Sequence, residues 1–242
     1  MGRGHPGIRT QPRLPRTVLG VPATKKTATS SREPGFDREL ELLASHPIVG
    51  FVDEVGRGCA AGPVSCGVVV LTDPAPPPAG LRDSKLLSPA RRRSLLPAIA
   101  DWAAASAVGH STAEEIDEIG LTAALRLAAT RALDLTGLHP AVVLLDGSHD
   151  WLTGPDTTFE VFTMVKADLR CAAVAAASIL AKVERDELMV TADATFPGYG
   201  FAEHKGYLTA AHLEALQRLG PSDLHRRSWN VRGVEGFGTG PR

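Results

Sequence analysis

Three acidic positions in this chain follow or open apolar elements, where a carboxylate is costly to leave without a partner. Asp53-Glu54 ends the run Ile48–Val52, Asp146 ends the run Ala141–Leu145, and Asp168 opens an Ala-rich stretch. In α/β proteins, functional groups collect where strands end and loops converge. Carboxylates meeting at one such edge repel one another, and a divalent cation relieves that repulsion. Hard oxygen ligands suit Mg²⁺ or Mn²⁺. Successive strand residues point to opposite faces, so Asp53 and Glu54 share one cluster only if the strand ends or bulges there. Gly56 would permit that. Two of the acids also have a plain structural reading, Asp168 as a helix N-cap and Asp146-Gly147 as a turn pair. Nothing cheap explains the two charges in Val52-Asp53-Glu54-Val55.

Other polar groups could meet a polyanion. Gly56-Arg57-Gly58 allows close backbone approach to a ligand, although Gly-x-Gly alone is usually a plain turn. Asp83-Ser84-Lys85 brings a Ser and a Lys that suit phosphate or simply a polar loop. Ser178, Lys182 and Arg185 stand at spacings of four and three, hence on one helix face beside small alanines.

The elements that must position these groups read as α/β. A first strand, Ile48–Val52, and a second, Val64–Leu71, form a hairpin. Ser88-Pro89 opens a helix reaching about Ala105, Ala107–His110 is a short strand, and Thr112–Leu135 is helical with a break near Gly120. Ala141–Leu145 is a buried strand and Thr158–Val165 another. A long helix follows from Asp168 to about Thr191, and a last one spans Thr209–Leu219. A hairpin followed by alternating strands and helices implies a mixed central sheet flanked by helices, with a C-terminal helical segment.

A length of 242 residues suits one domain, expected over residues 46–230. Residues 1–45 are rich in Pro, Arg, Thr and Ser and read as a disordered basic tail; residues 231–242 read as a flexible C-terminal tail. Net charge is −1, but residues 1–36 carry seven cations and one acid, a net of +6, leaving −7 on the rest. A basic arm on an acidic body suggests polyanion contact through the arm. The acidic body itself needs local cations or metal ions to hold a nucleic acid. No stretch is long and apolar enough for a membrane span. The first twenty residues have no apolar signal region, and three cysteines without a C-x-x-C pair fit the reducing cytosol, so a cytoplasmic protein is expected.

Taken together, the segments resemble ribonuclease HII, the type 2 ribonuclease H family, over roughly Ile48 to Trp229. The motifs are Gly50–Gly58, Asp83-Ser84-Lys85, Leu144–Gly147, Lys166-Ala167-Asp168, Ala175–Lys182 with Arg185-Asp186, Tyr199-Gly200-Phe201, His204–Tyr207 and His225-Arg226. Each is weak alone, and their joint order is specific. The resemblance implies the ribonuclease H-like fold and an endonuclease that hydrolyses the RNA strand of RNA/DNA hybrids. It also implies nicking at single ribonucleotides in duplex DNA, in ribonucleotide removal and RNA primer processing. It implies Asp53, Glu54, Asp146 and Asp168 as catalytic metal ligands for Mn²⁺ or Mg²⁺, with two-metal hydrolysis leaving 3′-hydroxyl and 5′-phosphate ends. Gly56, Arg57 and Gly58 would read the ribose 2′-hydroxyl, Tyr207 would lie against the sugar at the junction, and Lys85, Ser178 and Lys182 would contact phosphates. A monomer is expected. The family usually has a second Lys after Asp-Ser-Lys; Leu86 stands here, which bears on one phosphate contact and not on the chemistry. Two rival readings are a non-catalytic nucleic-acid-binding protein on this fold and a nucleotide-binding α/β enzyme. The four acids count against the first. The lack of a G-x-G-x-x-G before a helix counts against the second.

Overall fold

The computed structural model describes residues 33–238. Five strands, β1 (Val49–Val55), β2 (Val64–Leu71), β3 (Ala105–Ser111), β4 (Val142–Asp146) and β5 (Glu160–Met164), form one sheet in the order β3-β2-β1-β4-β5. β1, β2 and β3 pair antiparallel, while β4 and β5 extend the sheet in parallel from β1. The helices are α1 (Asp37–Leu43), α2 (Pro89–Trp102), α3 (Ala113–Ile119), α4 (Leu121–Thr136), α5 (Ala172–Thr195), α6 (Phe201–His204) and α7 (Ala210–Leu219).

The two-residue period of the strands sorts the core into two layers. Val49, Phe51, Val142 and Leu144 pack with Ala173, Ala176 and Ala177 of α5. Val52, Val143 and Leu145 pack on the other face with Ala124, Leu125 and Ala128 of α4. Alanines let α5 lie close on the sheet. A Cβ at Gly67 of β2 would stand 2.1 Å from the Ala177 carbonyl oxygen, so only glycine fits there.

The mixed sheet between helical layers is the expected architecture, with several corrections of extent. The segment read as the end of a disordered tail is part of the body. Gly35 bridges to Cys171, and α1 buries Leu42 and Glu39. Seven residues are too few to display a helical period, so composition dominated the sequence reading. Glu39 Oε1 accepts the Ala173 N–H at 2.8 Å, serving as a cap for α5, whose own N-cap residue Cys171 offers no side-chain bond. Burial raises the Glu39 carboxyl to about 7. At the other end, Val231 is buried and the Gly238 N–H donates to the carbonyls of Arg227 and Trp229 at 2.7 and 2.8 Å, so the chain is held that far. Residues 1–32 of the expected tail and the last four residues lie outside the described residues. α2 stops at Trp102, because Ala103 turns extended and the Ala104 N–H bonds to Val70 at the start of β3. Asp168 does not open α5. It sits in a 3₁₀ turn, Ala167–Leu169, and the helix begins after the extended Cys171.

Two losses should follow. Deleting residues 1–45 should destabilise the protein by about 2–5 kcal/mol, from lost Leu42 burial and the lost cap. Glu39→Ala alone should cost about 1 kcal/mol. Thermal and denaturant melts check both, and an unchanged midpoint on deletion would return α1 to the status of a tail.

Candidate active site

The parallel register of β1 and β4 builds the site. Val52 pairs with Leu145, so the next step brings Asp53 beside Asp146. Each stands two residues beyond a residue of the α5 layer, Phe51 and Leu144, and so faces α5. Asp53 is 5% exposed, and its Oδ1 accepts the Glu54 N–H at 2.8 Å. Burial pushes its carboxyl well above the ordinary range. The Ser178 hydroxyl opposes that rise, and the charges of Glu54, Asp146 and Asp168 add to it. Asp146 Oδ1 accepts the Ala167 N–H at 2.6 Å, which ties the end of β4 to the turn carrying Asp168. Lys166, in the left-handed conformation, aims that turn. Asp168 is also buried, and its carboxyl is raised by burial and then by Asp146 and Asp83.

Lys85 stands over these acids, its Nζ 3.8 Å from Asp168 Oδ2 and 4.0 Å from Asp83 Oδ1. Burial works against its charge, but Asp83, Asp53, Asp168 and Asp146 outweigh that and raise its pKa. Ser178 Oγ lies 2.9 Å from Ser84 Oγ, linking α5 to the Asp83–Lys85 turn. Lys182 is spent on an ion pair instead: its Nζ donates to Asp186 Oδ1 at 2.5 Å. Leu86, at the position where the family usually has a second Lys, is 63% exposed.

The condition set for Asp53 and Glu54 is not met in the form expected. β1 neither ends nor bulges there, since its register with β2 continues to Val55 opposite Ser65. β4 stops at Asp146 instead, leaving that side of β1 without a partner beyond Val52. Glu54 keeps to the other face, with Oε1 3.5 Å from Arg57 and Oε2 buried without a partner. Burial raises its carboxyl, Arg57 lowers it, and Asp146 raises it. Among the described residues, no group of three or more His, Cys, Asp or Glu side chains is arranged to hold a metal ion. The donor chemistry nonetheless fits a hard divalent cation. Carboxylates raised by burial and mutual repulsion, with one orphaned buried oxygen, are stabilised by positive charge.

Past β1 the chain enters the Gly56-Arg57-Gly58 loop, where the two glycines have different reasons. Gly56 has φ +86°, and a Cβ on it would stand 2.2 Å from Arg185 Nε, so the fold demands glycine. Gly58 has no such reason, because a Cβ there meets nothing within 4 Å. Arg57 is exposed. The Gly206 carbonyl accepts the N–H groups of Ala60 and Ala61 at 2.9 and 3.3 Å, which places Tyr207 beside this loop. Tyr207 is 41% exposed, and burial and the Cys59 thiol raise its phenol pKa.

The ribonuclease HII family model matches residues 50–232. The chain belongs to the ribonuclease HII family. The ribonuclease HII of Streptomyces coelicolor is 46% identical over 193 residues, 80% of this chain and 81% of that one. The ribonuclease HII of Caulobacter vibrioides is 47% identical over 197 residues, 81% of this chain and 90% of that one. The crystal structure of ribonuclease H2 from Pyrococcus horikoshii superposes with a TM-score of 0.61 at 26% identity, covering 76% of this chain and 94% of that chain. The ribonuclease HII in a PCNA complex from Archaeoglobus fulgidus gives the same TM-score of 0.61 at 26% identity, covering 76% of this chain and 96% of that one. The family is one of metal-dependent endoribonucleases acting on RNA/DNA hybrids.

Around this ribonuclease HII site stand residues given no role by sequence reasoning. Asp83 adds a carboxylate beside Lys85. Arg92 donates to the carbonyls of Ser84 and Leu87 at 2.8 and 2.9 Å and fixes the turn that carries Lys85. Behind Tyr207 runs a chain of imidazoles. The Ser222 N–H donates to His225 Nδ1 at 2.9 Å, so the ring's other proton lies on Nε2 and points to His212 Nε2 at 3.0 Å. His212 then donates from Nδ1 to the Tyr207 carbonyl at 3.0 Å. His225 stood in one of the motifs, whereas nothing in the sequence singled out His212.

Burial pushes both His212 and His225 down to about 4 from an ordinary 6.5. Below 6.5 the unfolded chain takes up protons that the native rings refuse. Their stabilisation is therefore full above 6.5 and is lost as pH falls through about 4. The melting-temperature gap between wild type and His225→Gln should accordingly shrink from pH 7 to pH 4. A gap that stays constant would show that the rings titrate normally.

Proposed function

We propose that this chain nicks duplex DNA at single embedded ribonucleotides as well as cutting the RNA strand of hybrids, leaving 3′-hydroxyl and 5′-phosphate ends. The carrying observation is the juxtaposition of buried Asp53 and Asp168 with half-buried Asp146, whose charges raise one another's cost, with an open loop at Gly58. Asp53, Asp146 and Asp168 would hold Mg²⁺ or Mn²⁺ from the α5 face, and Glu54 would join them around the edge that β1 leaves open beyond Val52, where its carboxyl already feels Asp146. Two divalent ions held there would supply an activated water and charge neutralisation at the leaving 3′-oxygen.

The chain's own groups do the rest. Lys85 neutralises the carboxylates and is placed to meet the phosphate, with Ser178 behind it. Lys182 shares Asp186 with Arg92, so the trio keeps one net positive charge beside the site. Arg57 and Gly58 present backbone N–H groups to the ribose 2′-hydroxyl, the group that separates RNA from DNA. Tyr207 offers its exposed ring to the adjoining sugar. Contacts made to backbone rather than bases leave the reaction without sequence preference. The reading carries with it a monomer working in the cytoplasm, where its three buried free thiols stay reduced. Among the described residues, no helix is long and apolar enough to cross a membrane.

Purified protein with Mn²⁺ or Mg²⁺ should nick a duplex containing one ribonucleotide and leave the all-DNA duplex intact. Cleavage surviving excess EDTA would overturn the metal dependence. Asp53→Asn should cut the rate at least about a hundredfold, near 2.7 kcal/mol. Relief of repulsion should at the same time raise the metal-free melting temperature. The loop has its own test. Gly58→Ala should leave the melting temperature unchanged, since its Cβ meets nothing in the protein. It should lower cleavage by roughly tenfold, because the methyl projects into space needed by the substrate. Normal cleavage by Gly58→Ala would remove the loop from the substrate contact.

A further inference from the structure

Arg226 is fully buried, yet it has no carboxylate within ion-pair distance among the described residues. Its guanidinium donates only to backbone carbonyls: Gly56 at 2.7 Å, Arg57 at 3.1 Å, and Gly62 at 3.1 and 3.0 Å. The Trp229 ring covers it, 4.9 Å from ring centroid to guanidinium carbon. Its own backbone is anchored by the Arg226 N–H on the Ala60 carbonyl at 3.0 Å and by the bridge from His225 to Ala61. Burying a cation without a counter-charge is expensive, so the arrangement needs a return beyond packing. A planar fork with five donors is the side chain that can gather three carbonyls at once.

The return lies in the geometry of the peptide group. In a trans peptide the carbonyl and the following N–H point in opposite directions. With the Gly56 carbonyl drawn inward to Arg226, the Arg57 N–H faces outward; with the Arg57 carbonyl drawn inward, the Gly58 N–H faces outward. Among the described residues neither N–H has a protein acceptor, and the space at Gly58 is open. We propose that Arg226 is a positioning residue that sets ribose specificity, by turning the N–H groups of Arg57 and Gly58 toward the 2′-hydroxyl of the substrate. Arg185 works alongside it, holding the carbonyls of Ala61, Pro63 and Lys205 at 3.2, 2.9 and 2.9 Å and so bracing the far side of the same loop. This inference rests on the reading of the loop as the reader of the 2′-hydroxyl.

The test compares two constants for one sequence: KM for the duplex with a single ribonucleotide, and Ki for the matched all-DNA duplex as competitor. Wild type should show KM well below Ki. Arg226→Lys keeps the charge but cannot gather three carbonyls. It should raise KM roughly tenfold, the worth of about one good hydrogen bond, with Ki unchanged within about twofold, because the all-DNA duplex never uses those N–H groups. Arg226→Gln should do the same. If neither melts above the assay temperature, Trp229→Leu, which loosens the guanidinium without removing it, should move the ratio in the same direction. A parallel rise of KM and Ki, or a folded variant with an unchanged ratio, overturns the role of Arg226. Equal KM and Ki in wild type would instead overturn the 2′-hydroxyl reading beneath it.

Discussion

One rung of the sheet carries Val52 opposite Leu145, and the next sets two carboxylates side by side. Burial and the repulsion of the neighbouring carboxylates together push the Asp53 carboxyl well above its ordinary range. The polar architecture around the site is a response to that repulsion. Asp146 leans on the Ala167 N–H, Asp53 on the Glu54 N–H, and Lys85 spreads its charge over the group. These contacts hold the acids in place without cancelling their charge. On the proposed reading, the remaining negative potential would draw a divalent cation, and through it a phosphodiester, to a body whose net charge would otherwise turn nucleic acid away.

A second constraint acts on the opposite side of the groove. The Gly56–Pro63 loop has almost no regular structure of its own, and its carbonyls point into the protein. Two buried arginines and the turn at Gly206 collect those carbonyls and amides. The chain after α5, with α6, α7 and the imidazole chain, thus serves chiefly as a mould for a short loop near the end of the first strand. Two of the acids proposed to hold metal and the loop proposed to read the ribose come from one continuous stretch, Asp53 to Gly58, but have different partners: Ser178 of α5 and the Asp83–Lys85 turn beside the acids, Arg185 of α5 and the C-terminal segment around the loop.

What could be read from sequence follows from this division. Asp53-Glu54 stood out because nothing inexpensive explains two charges inside an apolar run, and the strands around it announced themselves by β-branched runs. Ser178, Lys182 and Arg185 share a face as the helical period requires. Arg92 had no signal, and Arg185 and Arg226 stood in motifs without a role, because their partners are backbone carbonyls, which every residue carries. Glu39 was hidden for a related reason: its partner is an N–H on a helix far along the chain. Glu54 was misjudged in detail, because a strand was assumed to end where its charges begin, whereas β1 continues and its neighbour β4 ends. Asp168 looked like a helix cap only because the extended Cys171 between it and α5 leaves no mark in composition.

The bond from Glu39 to the Ala173 N–H spans 134 residues of chain. Ribosomes add about 5–20 residues per second, so α1 waits roughly 7–27 s after its own synthesis before its partner helix exists. β1 likewise waits for β4, and the sheet cannot close around its parallel core until most of the chain has been made. The amino-terminal segment therefore leaves the ribosome as an unsatisfied surface, with Leu42 facing water and the Glu39 carboxylate ionised until burial raises its pKa to about 7. Its docking is a late event that locks the start of α5. The order of synthesis thus runs against the order of assembly: the first of the described helices to be made is among the last to find its place.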